Sequence, residues 1–102
     1  MKTLNQMLGS KVIIRTYSAG CWYGTLTEKA KNEVIISEAR RLWSWTAATG
    51  ISLSGVALEG IKSIGSRIEA PVDSVWLEAI EIIPCTETAI SSIEKAPHAT
   101  PR

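Results

Sequence analysis

The sequence predicts a mainly β (α+β) protein, folded as a small antiparallel sheet or partly open barrel of about five to six strands. One short helix is expected in the middle of the chain and a second at its C-terminal end. Three observations lead to this class. Runs of β-branched and aromatic residues recur along the chain, short polar turns separate them, and helical spacing is confined to two stretches.

Six β-forming runs define the expected strands, at residues 11–17, 21–27, 33–37, 39–45, 75–77 and 79–83. The first four follow one another through short turns, which is the pattern of an antiparallel meander that can curl into a small barrel. Gly24 lies inside the second run, where a glycine indicates a bulge or the close approach of another backbone or a ligand. Pro84 ends the last run because proline cannot donate to a strand ladder.

Each predicted helix carries end signals. The mid-chain helix is expected between Ser52, a suitable N-cap, and Gly60, which is placed to end it. The C-terminal helix is expected over residues 86–95, with Thr86 as N-cap and Glu87 beside the positive end of the helix dipole. Both helices are therefore short and have defined starting points.

The remaining segments are a loop and a tail. Residues 62–70 are expected to be irregular, and a loop of this length in a small domain is often a binding or interface element. The length of 102 residues allows one core, so a single domain is expected over residues 1–96. Residues 97–102 are polar and contain two prolines, which predicts a flexible tail.

The overall composition is that of an ordinary globular protein, and its net charge of +1 provides no global field for nucleic acid or an anionic membrane. Nucleic acid is therefore an unlikely partner by charge. No signal peptide and no apolar run of about 20 residues is present, which predicts a cytoplasmic protein without a membrane partner. The two cysteines, Cys21 and Cys85, are far apart in sequence and are expected to be free thiols.

The sequence contains few groups that could carry out catalysis. The only histidine, His98, lies in the tail, and the only aspartate is Asp73. A nucleophile–base pair cannot be assembled without the tail, and no phosphate-binding glycine loop or metal-ligand spacing is present. We therefore expect a protein that is not an enzyme, with no catalytic residues, no metal and no cofactor.

The most informative stretch is residues 39–45, here called the Arg/Trp segment, which holds two arginines and two of the four tryptophans. Arginine beside a flat aromatic surface suits a ligand that is both planar and anionic, such as a nucleotide. An extended chain would divide the segment into two faces, with Arg41, Trp43 and Trp45 on one and Arg40, Leu42 and Ser44 on the other. The alternative is a core strand whose tryptophans are buried and whose arginines reach solvent.

Further candidate ligand-binding residues come from the first hairpin and from the loop: Arg15, Tyr17, Trp22, Tyr23 and Arg67. Buried tryptophan and arginine are also common anchors of protein–protein interfaces. An oligomer interface therefore competes with a ligand site, and the two coincide where a ligand binds between subunits.

Several blocks of the sequence resemble a family of small phage and prophage proteins catalogued as a domain of unknown function. The blocks are VIIRTYSAG at 12–20, GTL at 24–26, ARRLWSW at 39–45, EAPV at 69–72 and EAIEIIPC at 78–85. The resemblance extends to about residue 93. It implies a phage origin and a location in the cytoplasm of an infected bacterial host, but it implies no activity.

The expected function is a phage-encoded, homo-oligomeric binding protein that sequesters a nucleotide-derived host defence signal without cleaving it. Trp43 or Trp45 would stack on the base, Arg40 or Arg41 would pair with phosphate, and residues 62–70 would close over the ligand. The ligand is expected to be a cyclic oligonucleotide or an ADP-ribose derivative. The alternatives are a phage structural or assembly protein and a small β-barrel that binds nucleic acid.

Overall fold

The structure, a computed structural model, describes residues 7–48, 52–62 and 65–99. It contains five strands: β1 (Lys11–Thr16), β2 (Cys21–Ala30), β3 (Glu33–Ser44), β4 (Arg67–Ile68) and β5 (Val72–Pro84). Two helices, α1 (Leu53–Glu59) and α2 (Glu87–Glu94), lie in the middle of the chain and near its C-terminal end. The predicted mainly β class, with one mid-chain and one C-terminal helix, is confirmed.

The strands form one antiparallel sheet that curls into a partly closed ring. β1, β2 and β3 make the predicted meander, and β5 lies between β1 and β3. Because β2 also pairs with β3, each of these four strands has a neighbour on both sides over part of its length. The two-residue strand β4 is added to the far end of β3.

The predicted third and fourth strands are a single strand, β3, and the last two predicted runs are a single strand, β5, so both divisions are wrong. The apparent break in β3 is a β-bulge: Ser37 pairs with Thr25, but Arg40 pairs with Tyr23. Between these two pairs β3 advances by three residues and β2 by two, so β3 contains one extra residue. Glu38 lies within this part of β3 and takes a left-handed conformation with φ of 49°. A bulge exchanges the two faces of a strand, so this one decides where Arg40 and Arg41 point.

Gly24 lies on β2 across from this bulge. A Cβ atom at position 24 would lie 2.9 Å from the Ser37 carbonyl oxygen, which only a glycine avoids. The predicted close approach of another backbone at Gly24 is confirmed, and the bulge itself lies on the partner strand β3.

Two hydrophobic clusters lie on the two faces of the sheet. The interior cluster takes buried residues only from the four ring strands: Val12, Ile14, Trp22, Leu26, Val34, Ile36, Ala39, Leu77 and Ala79. The helix-side cluster joins the outer face of the sheet to the helices and the chain around them, and its buried members include Ile13, Tyr23, Leu42, Val56, Ile68 and Ile93. Val12 and Ile14 pack in the interior cluster and Ile13 packs in the helix-side cluster, so β1 is covered on both faces.

The helix ends follow the predicted signals. The Ser52 hydroxyl accepts a hydrogen bond from the Gly55 amide, and the Thr86 hydroxyl accepts one from the Ala89 amide. The Thr86 hydroxyl also donates to the Leu58 carbonyl oxygen at 2.6 Å, which ties the start of α2 to the end of α1. Within the described part of the chain, no helix is long and apolar enough to cross a lipid bilayer.

The expected loop and tail are partly ordered against the sheet. Arg67 and Ile68, predicted to be irregular, form β4, and the Ser66 hydroxyl accepts a hydrogen bond from the Thr46 amide. His98 forms a parallel bridge with Ile68, and the Ala99 amide donates to the Ile68 carbonyl oxygen at 2.8 Å. Residues 63–64 of the expected loop and 100–102 of the expected tail lie outside the described residues.

Candidate functional site

Arg40 is buried and bound to backbone carbonyl groups. Its Nε donates to the Glu69 oxygen at 2.7 Å, Nη1 to the Ile93 oxygen at 2.7 Å and Nη2 to the Ile68 oxygen at 3.2 Å. Arg40 is only 4% exposed, and this burial lowers the pKa of its guanidinium. The geometry gives Arg40 the task of holding β4 and the C-terminal end of α2 against the sheet.

Arg41 has a different environment, at the open end of the ring. Its guanidinium carbon lies 4.4 Å from the centre of the Trp22 ring, within the range of a cation–π contact. The Nε atom is 3.8 Å from a Glu69 carboxylate oxygen, which is an ion pair but longer than a hydrogen bond. The Arg41 side chain remains 38% exposed, so one edge of the guanidinium is open to a ligand.

The Trp22 indole is the base on which Arg41 rests. The ring is buried in the interior cluster, and its Nε1 donates to the Ala19 carbonyl oxygen at 3.0 Å. The Thr16 hydroxyl accepts from the Ala19 amide and donates to the Gly20 oxygen, which orders the turn between β1 and β2. The flat surface under the guanidinium is therefore fixed by the fold.

Two exposed aromatic side chains lie at the same end. Tyr17 opens the turn between β1 and β2 and is 91% exposed. Cys21 pairs with Leu42, so the next residue of β3, Trp43, lies beside Gly20 at the other end of that turn. Trp43 is 66% exposed. We call the set Tyr17, Trp22, Arg41 and Trp43 the barrel mouth.

The two-face division expected for the Arg/Trp segment is wrong at Trp45. Leu42 pairs with Ile68 but Ser44 pairs with Arg67, so Trp43 is an extra residue in the strand. This second bulge turns Trp43 outward and reverses the alternation. As a result, Trp45 packs, half-buried, against the same helix-side cluster as Leu42 instead of lying beside Arg41.

Tyr23 belongs to a polar network beneath α2. Its hydroxyl donates to Glu94 Oε2 at 2.7 Å, and the Lys11 ammonium is 3.2 Å from the same oxygen. Burial and the neighbouring carboxylate raise the pKa of Tyr23, while the Tyr23 hydrogen bond lowers the pKa of Glu94. Tyr23 is 1% exposed, so its ring does not offer a surface to a ligand.

The two remaining arginine candidates lie on β1 and β4. Arg15 is on the outer face of the sheet, where its Nε is 2.9 Å from a Glu81 carboxylate oxygen. Arg67 is half-buried in β4 and lies opposite Ser44. Of the nine sequence candidates, four form the barrel mouth, four serve other contacts, and Arg67 lies on β4 opposite Ser44, next to Trp43. The four with other contacts are Arg15, Tyr23, Arg40 and Trp45.

Neither cysteine is activated as a nucleophile. Burial raises the pKa of both thiols, to about 12 for Cys85, so they are protonated near neutral pH and poor nucleophiles. No group of three His, Cys, Asp or Glu side chains in residues 7–48, 52–62 and 65–99 is placed to hold a metal ion. Glu69, which pairs with Arg41, is absent from the sequence candidates, and no local pattern marks it.

Comparison with known families assigns the chain to a class defined by its sequence and fold alone. Residues 9–93 match the model of the domain of unknown function DUF6948. The match covers most of the 102 residues, and the chain belongs to this family. Neither the curated proteins nor the solved structures give a match.

Proposed function

We propose that the protein is a non-enzymatic binding protein that sequesters a nucleotide-derived signal at the barrel mouth. The observation that supports it is the Arg41 guanidinium, which lies 4.4 Å from the centre of the Trp22 ring and whose side chain is 38% exposed. It lies at the end of the sheet where Tyr17 and Trp43 are also exposed. A planar anion requires an aromatic surface to stack on and a cation already held in position beside that surface. Preorganisation matters because it removes much of the entropy cost of binding.

In this proposal each residue of the barrel mouth has one task. Arg41 pairs with a phosphate through its exposed edge, in competition with its loose contact to Glu69. Trp43 and Tyr17 supply surfaces on which a base stacks. Trp22 keeps the guanidinium in place, and Arg40 acts only through the fold.

The biological setting is a second part of the proposal. The resemblance to small phage and prophage proteins supports a phage-encoded protein in the cytoplasm of an infected bacterial host, with a defence signal as ligand. The ligand class is then a cyclic oligonucleotide or an ADP-ribose derivative. We also propose a homo-oligomer, since a large exposed indole such as Trp43 is typical of residues that become covered between subunits.

Isothermal titration calorimetry with cyclic dinucleotides, cyclic trinucleotides and cyclic ADP-ribose isomers tests the proposal. Binding of one of these classes is expected, with a heat that disappears in Arg41→Ala and is reduced in Arg41→Lys. Lysine keeps the charge but loses the planar fork that stacks and bonds bidentately. Absence of heat with every ligand, at protein concentrations well above micromolar, would contradict the proposal.

Arg15→Ala is the matched control. It removes an exposed arginine that already has a carboxylate partner, Glu81, on the outer face of the sheet. Affinity is expected to be unchanged in this variant. An equal loss in Arg15→Ala and Arg41→Ala would mean that overall charge, and not the barrel mouth, carries the binding.

A second candidate function is that of a phage structural or assembly subunit. The observation that favours it is the number of large apolar side chains left exposed on one small domain, among them Tyr17, Trp43, Trp76 and Ile80. Recovery of the protein in purified particles would favour this role. Nucleic-acid binding is less well supported, because a net charge of +1 offers few phosphate contacts.

A further inference from the structure

The N-terminal half of β5 is paired on one edge only. β5 lies between β1 and β3, but β1 pairs only with Ala79–Pro84 whereas β3 pairs with Val72–Glu78. In the described part of the chain, no strand covers the other edge of Val72–Trp76. Alternate backbone N–H and C=O groups of an antiparallel strand point to opposite edges, so several point away from β3 here.

A hollow lies next to this free edge. It has a volume of about 390 Å³ and is bounded by Trp76, Leu77 and Glu78 on one side and by Tyr17, Ser18 and Ala19 on the other. Trp76 is 55% exposed, and its Nε1 donates to Glu33 Oε1 at 3.0 Å. The indole is thus held in one orientation with a face open to solvent.

The charge around this indole is negative. Glu33 and Glu78 lie directly opposite each other on the outer face of β3 and β5, and Asp73 lies on the free edge itself, on the face opposite to Trp76. Like charges directly opposite on a sheet are unfavourable unless a cation neutralises them. On the far side of Trp76, Glu28 and Lys29 offset each other, and the Lys29 ammonium donates to the Lys31 carbonyl oxygen.

We propose that the Val72–Trp76 edge binds an extended segment of a partner protein that carries arginine or lysine. The segment adds a strand to β5 through its backbone, and its basic side chain stacks on Trp76 and pairs with Glu78 and Glu33. The unpaired backbone supplies affinity for any extended chain, while the indole and the carboxylates supply the preference for a basic one.

The negative charge also distinguishes this occupant from a second copy of the chain. Two copies that paired through the same edge would bring together two sets of Asp73, Glu33 and Glu78, which repel each other. A basic segment gains from the same charges. The proposal rests on the β5 edge and Trp76, and it does not depend on nucleotide binding even though Tyr17 of the barrel mouth also borders the hollow.

Fluorescence anisotropy with short labelled peptides tests the proposal in the full chain without nucleotide. One peptide alternates valine and arginine, a second replaces arginine by glutamate, and a third is the basic peptide with alternate backbone amides methylated. Saturable binding of the first is expected, with affinity weaker by about tenfold or more for the other two. Trp76→Ala and Glu78→Gln are expected to weaken the first peptide by a similar factor.

Two matched variants serve as controls. Leu58→Ala removes a similarly exposed apolar side chain and Glu59→Gln an exposed carboxylate, both on α1, and neither is expected to change peptide affinity. Equal binding of the basic and acidic peptides, or no binding of either, would overturn the proposal. So would a mass of twice 11.1 kDa that reverts to one chain in Trp76→Ala, because a second copy would then cover the edge.

Discussion

At the residue scale, neighbouring arginines have opposite tasks. Arg40 donates to three carbonyl oxygens from two separate segments, while Arg41 rests on an indole and keeps an exposed edge. A buried guanidinium is tolerated because its donors are satisfied, and removing it would leave those carbonyl groups without partners. Arg40 therefore belongs to the stability of the fold and Arg41 to the candidate site.

This difference leads to a prediction for Arg40→Met. The substitution is expected to lower the free energy of unfolding by about 3 kcal/mol, because several buried carbonyl groups lose their donor at once. Urea denaturation followed by tryptophan fluorescence measures it. The control Arg15→Met, which removes an exposed ion pair, is expected to cost about 0.5 kcal/mol or less. Similar losses in the two variants would contradict the role assigned to Arg40.

The Tyr23–Glu94 hydrogen bond predicts a pH dependence of stability. The pKa of Glu94 is lowered from its usual 4.5 in the folded protein, chiefly by the Tyr23 hydroxyl. A lowered folded-state pKa stabilises the fold above the unfolded-state value, and this contribution is lost as the pH falls below 4.5 through the folded-state value. Denaturation midpoints between neutral pH and pH of about 3 measure the loss.

Tyr23→Phe is the matched variant for this effect. It removes the hydroxyl and keeps the ring in the helix-side cluster, with an expected cost of about 1 kcal/mol at neutral pH. Its stability is expected to fall less steeply on acidification, since Glu94 then retains only the ammonium of Lys11 and the more distant Arg40. An unchanged acid dependence in the variant would exclude Glu94 as its source.

At the element scale, β3 is shaped by its two bulges. The extra residue at Glu38 turns Arg41 toward the interior face and Arg40 toward the helices, and the extra residue at Trp43 exposes that indole. Gly24 permits the first bulge by allowing the Ser37 carbonyl oxygen to approach. The barrel mouth thus depends on a residue that makes no side-chain contact.

Gly24→Ala is therefore expected to destabilise the fold by about 2 kcal/mol, because the new Cβ would meet the Ser37 oxygen at 2.9 Å. Thermal unfolding followed by circular dichroism measures the change. Gly20→Ala is the control for backbone strain alone: Gly20 has φ of 83°, but no atom lies within 4 Å of the position that a methyl group would take, and a cost of about 1 kcal/mol is expected. A smaller effect at Gly24 than at Gly20 would contradict the steric argument.

At the scale of the whole molecule, the two hydrophobic clusters share the same strands. Ile13 belongs to the helix-side cluster and its neighbours Val12 and Ile14 to the interior cluster, so neither cluster can form without β1 in place. Packing of this kind couples the ring to the helices. The molecule is accordingly expected to unfold as one unit.

Denaturant unfolding tests this coupling with two probes. In a Trp45→Phe variant, tryptophan fluorescence reports on the strands that hold Trp22, Trp43 and Trp76, and far-ultraviolet circular dichroism reports on strands and helices together. Coincident transitions are expected, as for a two-state domain. A separate, earlier loss of helical signal would contradict the coupling.

Much of the local structure follows from the sequence. The strand runs, the N-caps Ser52 and Thr86 and the stop at Gly60 depend on neighbouring residues, and all three signals appear in the structure. The glycine at position 24 also indicated that another backbone lies close to it. These features are predictable because their physical causes lie within a few positions in the chain.

The faces of the Arg/Trp segment were decided only by the tertiary structure. A bulge adds one residue opposite a partner strand, so it depends on a register that no local pattern records, and each bulge reverses the alternation. The acceptors of Arg40 lie 28 to 53 residues away in sequence, and Glu69 reaches Arg41 only after β4 has paired with β3. The sequence alone determined that two arginines and two tryptophans share one strand segment. Long-range pairing determined that Arg41 meets Trp22 and that this arginine remains open to a ligand.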